Sequence, residues 1–550
     1  MLAKKGRKLL SLLLAASMCV SMAGISVSAA EIGESGQGEL ICEQTEHTHS
    51  DACYEQQLTC TLPESEGHAH SDTCYNEAGE LTCGLEASAG HTHSAECYEQ
   101  VLTCTLPEHT HTADCYAVTE PEPTEPADPA PSESTEPADP EPSESADPEP
   151  GDYIAQIGDK TFDSLQAAID APEGEIVTLA ANTAEDITIS RSITLNLNGW
   201  TLTGTPADAP VVTVADGTTV TIQDGTITGK DSRKIEGLIT AANADLTLDN
   251  CVVTGNQAGK NGSAIIRAEG GSLTITGGEV TSCTQSNGGS IVLATDCALT
   301  IDGVRFSGNS AAKGVISLKG TASLDMDGCS FNGDASTSSK TGILYVQSSG
   351  DVSVADTTFT GGTANSSPLY MDSTAAEDAS AALELTNVTM SGYTSSSYMV
   401  YVEGAVNVTA QELTLENNAT TSSGSILYLS NTGTNTLTGC TVTGNQAKTG
   451  ASGGSTITVG ASAKTTFTNC TVTNNTSGSS SSGINVAKNG SVELNNCLIS
   501  DNRVDSTNAS AGGLYLGNNA TATVTDTVIK NNRRANLNNY AGGVYANSGS

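Results

Sequence analysis

One short pattern recurs along most of this 550-residue chain, and it limits the fold more than any other feature. It reads apolar-x-apolar-x-x-small-x-apolar-x-x and often ends in Asn, as in LTLDNCVVTGN (residues 246–256) and LTIDGVRFSGN (residues 299–309). The second apolar residue serves as an anchor, and successive anchors are about 27 residues apart. The anchors are Leu197, Ile222, Leu248, Ile275, Ile301, Met326, Val354, Leu385, Val408, Leu437, Phe467, Leu494 and Val524. A fixed period of this size predicts a stack of repeated structural units.

Each repeat has the character of short strands. Apolar residues alternate with a period of two, Thr and Val dominate, and the spacing typical of helical repeats is missing. A second apolar run precedes the anchor in each unit, as at residues 343–346 and 426–429. Two or three short strands per repeat, with Gly and Asn at the corners, predict one coil of a parallel β-helix. Stacked coils would share a continuous core that one coil cannot form alone.

An asparagine lies eight residues after the anchor in many repeats. These residues are Asn256, Asn309, Asn445, Asn475, Asn502 and Asn532. Asn tolerates the left-handed backbone of a sharp corner, and its side-chain amide can bond to an Asn in the next coil. We therefore expect corner asparagines in the left-handed conformation that are hydrogen-bonded from coil to coil.

Together, these features resemble the right-handed parallel β-helix domains of large secreted proteins, the pectate-lyase-like superfamily. The resemblance covers residues 151–550 and implies an all-β, right-handed parallel β-helix of about 13 coils. It is specific for architecture and carries little information about activity.

The two ends of the repeat region differ. Residues 161–171 place Phe162, Leu165, Ala168 and Ile169 at helical spacing, which predicts an amphipathic helix that caps the N-terminal end. The other end has no similar segment, and residue 550 falls inside a coil, so we expect the β-helix to be incomplete at its C-terminus.

The first 30 residues have the features of an export signal. Four basic residues among the first eight precede an apolar stretch at residues 9–20, and small residues follow at Val27, Ser28 and Ala29. The stretch is too short for a transmembrane anchor, and no other segment of the chain is long and apolar enough. A secreted or cell-surface protein is predicted.

Residues 31–116 contain four copies of a unit that joins two cysteines to two histidines and ends in Cys-Tyr. The copies contain Cys42, His47, His49 and Cys53; Cys60, His68, His70 and Cys74; Cys83, His91, His93 and Cys97; and Cys104, His109, His111 and Cys115. Two thiolates and two imidazoles form a four-coordinate zinc set, and units this small need a metal or a covalent link to fold. The pattern favours four structural zinc sites.

A disulfide in each unit, with incidental histidines, is the alternative, because exported proteins form disulfides. The units resemble Cys/His modules found near the N-terminus of large surface proteins of gut Firmicutes, which implies a Gram-positive source. A catalytic zinc is disfavoured because four protein ligands leave no open position on the metal.

An acidic, Pro-rich linker follows at residues 117–150. No Lys or Arg lies between residues 31 and 152, so this part supplies most of the net charge of −41. Such acidity disfavours nucleic acid and anionic membranes as partners.

The predicted β-helix contains no histidine, which disfavours a polygalacturonase-like hydrolase. The best residues for a calcium-dependent lyase are Asp249, Asp302 and Asp327, each one residue after its anchor, with Arg305 as the base. We expect Asp302 and Asp327 to be about 5 Å apart on neighbouring coils. The rest of that outward column is Thr, Asn or Gln, which is typical of a solvated strand face, so no catalytic residue is assigned.

Five cysteines share one place in the repeat, three residues after the anchor: Cys251, Cys329, Cys440, Cys470 and Cys497. Other coils have Gly, Val or Thr there, so this is interpreted as a small buried position. Cys440, Cys470 and Cys497 are expected to stack on successive coils, where disulfides are allowed but not required.

The signal, spacer and repetitive Thr- and Ser-rich rod favour a non-catalytic surface adhesin or stalk protein that binds a glycan or a host surface. Attachment to the cell wall would then use a region beyond residue 550. The alternative is a secreted polysaccharide lyase or glycoside hydrolase, since fold alone does not decide activity.

Overall fold

The protein was analysed as a computed structural model that describes residues 54–58, 98–102, 153–205, 209–229, 237–258, 263–364, 367–373, 381–448, 454–478, 481–505, 511–534 and 542–550. Strands Tyr54–Leu58 and Tyr98–Leu102 pair in antiparallel fashion and belong to one compact unit. Residues 153–550 belong to the other. Among the described residues, no helix is both long enough and apolar enough to cross a membrane.

From Ile176 onward, the described residues form a parallel β-helix in which strands pair with the equivalent strands one coil away. Three columns of strands, here called sheets A, B and C, run along the stack. Sheet A contains Ile187–Ile189, Val212–Val214, the first part of Gly237–Thr254, the first part of Ala264–Thr276, Ser290–Thr295, Ile316–Gly320, Gly342–Ser348, Ser367–Ser373, Val400–Gly404, Leu427–Asn431, Ile457–Val459, Ile484–Val486, Leu514–Leu516 and Val544–Ala546.

Sheet B follows sheet A in each coil. It contains Ile176–Leu179, Ile193–Asn196, the first part of Thr219–Thr228, the middle of Gly237–Thr254, the end of Ala264–Thr276, Ala298–Asp302, Ser323–Asp327, Val352–Ala355, Ala381–Thr386, Val406–Gln411, Thr434–Thr438, Lys464–Thr468, Ser491–Asn495 and Thr521–Thr525.

Sheet C completes the coil. It contains Thr183–Ala184, Thr201–Thr203, the ends of Thr219–Thr228 and Gly237–Thr254, Glu279–Thr281, Arg305–Ser307, Ser330–Asn332, Thr358–Thr360, Thr389–Ser391, Thr414–Glu416, Thr441–Thr443, Thr471–Thr473, Leu498–Ser500 and Val528–Lys530. Two-residue strands form a short fourth column: Gln257–Ala258, Thr284–Gln285, Ser310–Ala311, Ala335–Ser336, Thr363–Ala364, Thr394–Ser395, Ala419–Thr420, Thr476–Ser477, Arg503–Val504 and Arg533–Arg534.

Most anchors form one row in sheet B, as the repeat predicts, and this confirms the fold class. Ile301 pairs with Met326, and Leu437 pairs with Phe467. Two assignments were wrong by two residues, because Leu195 rather than Leu197, and Ala410 rather than Val408, stand in the row. Alternation with a period of two makes both choices inward-facing, and all four side chains are buried.

One anchor does not face a closed core. Val524 is 47% exposed, whereas Leu494, its neighbour in the row, is fully buried. Val528 lies in the same coil and Val544 in the strand Val544–Ala546 that follows it, and both side chains are also exposed. Among the described residues, no further coil packs over this part of the stack.

The corner asparagines are buried and hydrogen-bonded from coil to coil, as predicted. Asn445 Nδ2 donates to Asn475 Oδ1 at 3.0 Å, and Asn475 Nδ2 donates to Asn502 Oδ1 at 3.0 Å. Each amide also donates to a backbone carbonyl of the preceding coil, as Asn475 does to Val442 O at 2.8 Å. We call the row that runs through Asn418, Asn445, Asn475, Asn502 and Asn532 the asparagine ladder.

The expected left-handed conformation of these asparagines was wrong. The residue before each rung adopts it instead: Asn417 has φ 53°, Gly444 has φ 65° and Asn474 has φ 57°. The preceding residue turns the chain, and the turn points the rung side chain into the core, where its amide is fully used. Sequence preference alone does not separate these two roles, because Asn suits both.

The N-terminal end is covered by the helix Leu165–Asp170 and by strands Ala155–Ile157 and Lys160–Phe162. The helix buries Leu165, Ala168 and Ile169, as predicted. It is shorter than expected, because Phe162 lies in a strand. Glu185 of the first coil accepts hydrogen bonds from the backbone N–H groups of Leu165 and Gln166, which satisfies donors that a helix start leaves free.

Candidate functional site

The sixteen predicted metal ligands in the Cys/His units lie outside the described residues. Among the described residues, no group of three or more His, Cys, Asp or Glu side chains is placed to hold a metal ion. The candidate binding surfaces of the described residues lie on the outer faces of the β-helix.

The predicted carboxylates of sheet B are brought together only in part. Asp302 and Asp327 occupy neighbouring positions on adjacent strands and both are exposed. Asp249 is separated from Asp302 by the intervening Thr276. Arg305 belongs to sheet C, where its guanidinium forms an ion pair with Glu279 of the preceding coil. The arginine proposed as a base is thus engaged by another carboxylate.

A shallow groove on the outer face of sheet B was not predicted. Its volume is about 360 Å³, and its polar lining includes Thr300, Asp325, Asp351, Ser353 and Glu384. Four of these residues, all except Asp351, share one outward row on consecutive coils.

The groove is electrostatically negative. Asp351 Oδ1 accepts a hydrogen bond from the backbone N–H of Ala382 at 2.9 Å. Asp325 and Glu384 are exposed, and neither forms an ion pair with another described residue. Carboxylate and hydroxyl oxygens are good acceptors for sugar hydroxyl or ammonium groups, whereas uncompensated carboxylates repel a polyuronate.

Sheet A carries a column of tyrosines on its outer face: Tyr345, Tyr370, Tyr401 and Tyr428. The ring centroids of Tyr370 and Tyr401 are 4.4 Å apart, and those of Tyr401 and Tyr428 are 5.3 Å apart. The Tyr401 hydroxyl donates to Glu403, and burial raises the pKa of Tyr370 to about 12. Because the rings cover each other's faces, the column stabilises the wall of the β-helix and offers few open ring faces for stacking with a sugar.

A sequence signal for this column exists in hindsight. In all four strands, the tyrosine stands between two buried apolar residues, as in Leu344-Tyr345-Val346 and Leu427-Tyr428-Leu429. That alternation marks the tyrosine as outward-facing. The stacking itself depends on the register between coils, which no single repeat contains.

The inner polar row is interrupted in its middle. Asp334 Oδ1 accepts hydrogen bonds from the backbone N–H and Nδ2 of Asn309 at 2.9 and 2.8 Å, but its Oδ2 has no partner among the described residues. Gly362 takes the next rung, and its missing side chain leaves room for the ring of Tyr393. The Tyr393 hydroxyl is buried and also has no partner among the described residues. Burial raises the pKa of Asp334 to about 6.

Comparison with known proteins supports the fold. The family described as "Right handed beta helix region" matches residues 398–550, in agreement with the right-handed parallel β-helix. No curated protein matches the chain.

One solved structure that matches is the Azotobacter vinelandii Mannuronan C-5 epimerase AlgE6 A-module. It is 12% identical, the match covers 62% of this chain and 91% of that one, and the TM-score is 0.19. A similarity of this size supports no inference about activity.

Proposed function

We propose that the chain is a non-catalytic adhesin or stalk protein, secreted or on the cell surface of a Gram-positive bacterium, whose β-helix binds a glycan or a host surface. The groove on sheet B carries the proposal. It presents hydroxyl and carboxylate oxygens on consecutive coils, and none of its described lining residues is a Lys, Arg or His.

The net charge of the β-helix limits the class of glycan that it is expected to bind. Residues 153–550 contain 34 acidic and 18 basic residues, which gives a net charge of −16. A negative groove on a negative domain disfavours uronate polymers and favours neutral or amino-bearing glycans.

A glycan array with the full chain tests this proposal. We expect binding to neutral or amino-bearing glycans and weaker binding to uronates. Replacing both Asp325→Asn and Glu384→Gln should weaken that binding about 30-fold, since a neutral acceptor in place of a charged one loses about 1 kcal/mol per hydrogen bond. Glu493→Gln is the matched control, because Glu493 occupies the same outward row of sheet B several coils away. Equal binding by all variants would contradict a role for the groove.

The alternative function is a secreted polysaccharide lyase or hydrolase, and the neighbouring Asp302 and Asp327 favour it. Incubation with pectins and other acidic glycans in the presence of calcium should release no unsaturated products. Turnover that disappears in Asp302→Ala or Asp327→Ala would establish the enzyme instead.

The Cys/His units are proposed as four structural zinc sites on the N-terminal side of the spacer. The reduced full chain should bind about four zinc ions, and replacement of His68 and His70 by Ala should remove one. Binding should weaken as pH falls, because protons compete for thiolate and imidazole. If mass spectrometry of the exported protein shows Cys42 bonded to Cys53, and no metal is present, the disulfide interpretation is correct.

A further inference from the structure

Three cysteines form an adjacent column inside the β-helix. Cys440, Cys470 and Cys497 each precede a strand of sheet C, and those strands pair in register: Thr441 with Thr471, and Thr471 with Leu498. All three side chains are buried and none is in a disulfide. Cys329 has the same place in its repeat, but its neighbours in the row are Val304 and Thr357 rather than cysteines.

The spacing of the coils matches the requirements of a disulfide. Neighbouring parallel strands are about 4.8 Å apart, within the Cα separation of about 4.4–6.8 Å that disulfides span. Cys440 and Cys497 are two coils apart, at about 10 Å, which exceeds the limit of about 7 Å. Only pairs that include Cys470 therefore have suitable geometry.

The thiols also interact with each other. A hydrogen bond from the Cys470 thiol lowers the pKa of Cys440.

We propose that this column is a redox site that forms one disulfide, always centred on Cys470, with either Cys440 or Cys497 as its partner. The third cysteine keeps a free thiol. The proposal rests on the proposed export of the chain, because a disulfide persists only outside a reducing compartment.

The reaction balances with a small-molecule disulfide such as oxidised glutathione. One protein thiolate attacks the glutathione disulfide and releases one glutathione thiolate, which takes up the proton that the protein thiol lost. A second protein thiolate then attacks the resulting mixed disulfide and releases the second glutathione. The protein pair loses two electrons and two protons, and glutathione gains them. Because the thiols are buried, the reaction takes place before the coils close or during their transient opening.

The remaining thiol gives the column a further property. When Cys440 and Cys470 are bonded, the Cys497 thiol lies beside Cys470. Once it has lost its proton, its sulfur can attack Cys470 and release the Cys440 thiolate, which takes up that proton. The disulfide then connects the next pair of coils. The oxidised column thus contains two interconverting forms, each of which ties two successive coils together.

The full chain, equilibrated with oxidised glutathione, tests the proposal by alkylation and tryptic digestion without reduction. Lysines and arginines place the three cysteines on separate peptides: residues 341–448, 465–488 and 489–503. The peptide 465–488 should appear joined to one of the other two, and reduction should separate them. The Cys329 peptide, residues 320–340, should stay alkylated and serves as the internal control.

Single substitutions give a pattern that a general tendency to oxidise would not produce. Cys470→Thr should abolish the linkage, whereas Cys440→Thr and Cys497→Thr should each retain it through the remaining pair. Thr fits this row, because Thr357 and Thr527 occupy it in the coils that follow Cys329 and Cys497. Each threonine hydroxyl accepts a hydrogen bond from the backbone N–H of that cysteine. An alkylated Cys470 in oxidised protein, or a cross-link between Cys440 and Cys497 in Cys470→Thr, would overturn the proposal. Neither result depends on whether a glycan binds.

Discussion

The asparagine ladder and the interrupted rungs occupy the same row of the β-helix but satisfy it differently. In the ladder, Asn445 and its successors accept hydrogen bonds at Oδ1 and donate them from Nδ2, so every polar atom of the side chain is used. In the interrupted part, Asp334 accepts but leaves Oδ2 without a partner, and Tyr393 fills the space above Gly362 with a ring. A rung in this row is fully satisfied when it both accepts and donates, and the planar amide of Asn does both, with its oxygen and its NH2 group.

The largest effect is expected for Asn475→Ala. This change removes the acceptor of Asn445 Nδ2 and of the Asn445 backbone N–H, and it removes the donor to Val442 O. Each group left unsatisfied in the dry interior costs about 1–3 kcal/mol. Urea unfolding should show a loss of about 3–5 kcal/mol. Asn495→Ala, on the outer face of sheet B, is the control and should change stability by less than about 0.5 kcal/mol. Similar losses for the two variants would show that the ladder contributes little.

Asp334→Asn should raise the free energy of unfolding at neutral pH, whereas Asn475→Ala lowers it. The pKa of Asp334 rises from an ordinary value of 3.8 to about 6 in the folded protein, so folding favours the protonated carboxyl. The contribution of Asp334 to stability is therefore greatest below about pH 4, falls as pH rises to about 6, and stays lower above that, by about 3 kcal/mol.

The Asp334→Asn side chain has no ionised form to bury, and its Nδ2 is the hydrogen-bond donor that a carboxylate lacks. Unfolding measured from pH 4 to pH 8 should show the variant more stable than the parent at pH 7 and equal to it or less stable at pH 4. A difference that does not change with pH would rule out titration of Asp334 as the cause.

Gly362→Ala should cost about 1–3 kcal/mol through overpacking. A Cβ at this position would lie 2.1 Å from Cε1 of Tyr393 and 2.6 Å from the carbonyl oxygen of Asp334. Combining it with Tyr393→Leu should cost less than the sum of the two single changes, because the shorter side chain frees the space. Additive costs in thermal or urea unfolding would show that the ring does not occupy the glycine's rung.

The outer face should give the smallest effect on stability. Asp325→Asn with Glu384→Gln should change the free energy of unfolding by less than about 0.5 kcal/mol, because both side chains are exposed and unpaired. The same substitutions are expected to alter glycan binding. A large loss of stability would mean that the groove is a structural element rather than a binding surface.

The repeat predicts the fold because its period and its alternation both appear within a single coil. Register is harder to predict, since coils range from 25 residues, between Ile301 and Met326, to 31, between Val354 and Leu385. A shift of two residues keeps the same face inward, which explains the error at Leu197 and Val408. The groove, the tyrosine column and the Tyr393–Gly362 contact join residues of different coils, so no local pattern contains them.

The most direct test of the ladder account transplants the acidic rung into the continuous part, by Asn475→Asp. At position 475 the carboxylate loses the donations to Val442 O and Asn502 Oδ1, so it should fold best when it is protonated. Urea unfolding of the full chain between pH 4 and pH 8 should show a destabilisation, relative to the parent, that grows by about 3 kcal/mol as pH rises. A loss that is the same at every pH, or that is greatest in acid, would contradict the claim that each rung must donate as well as accept.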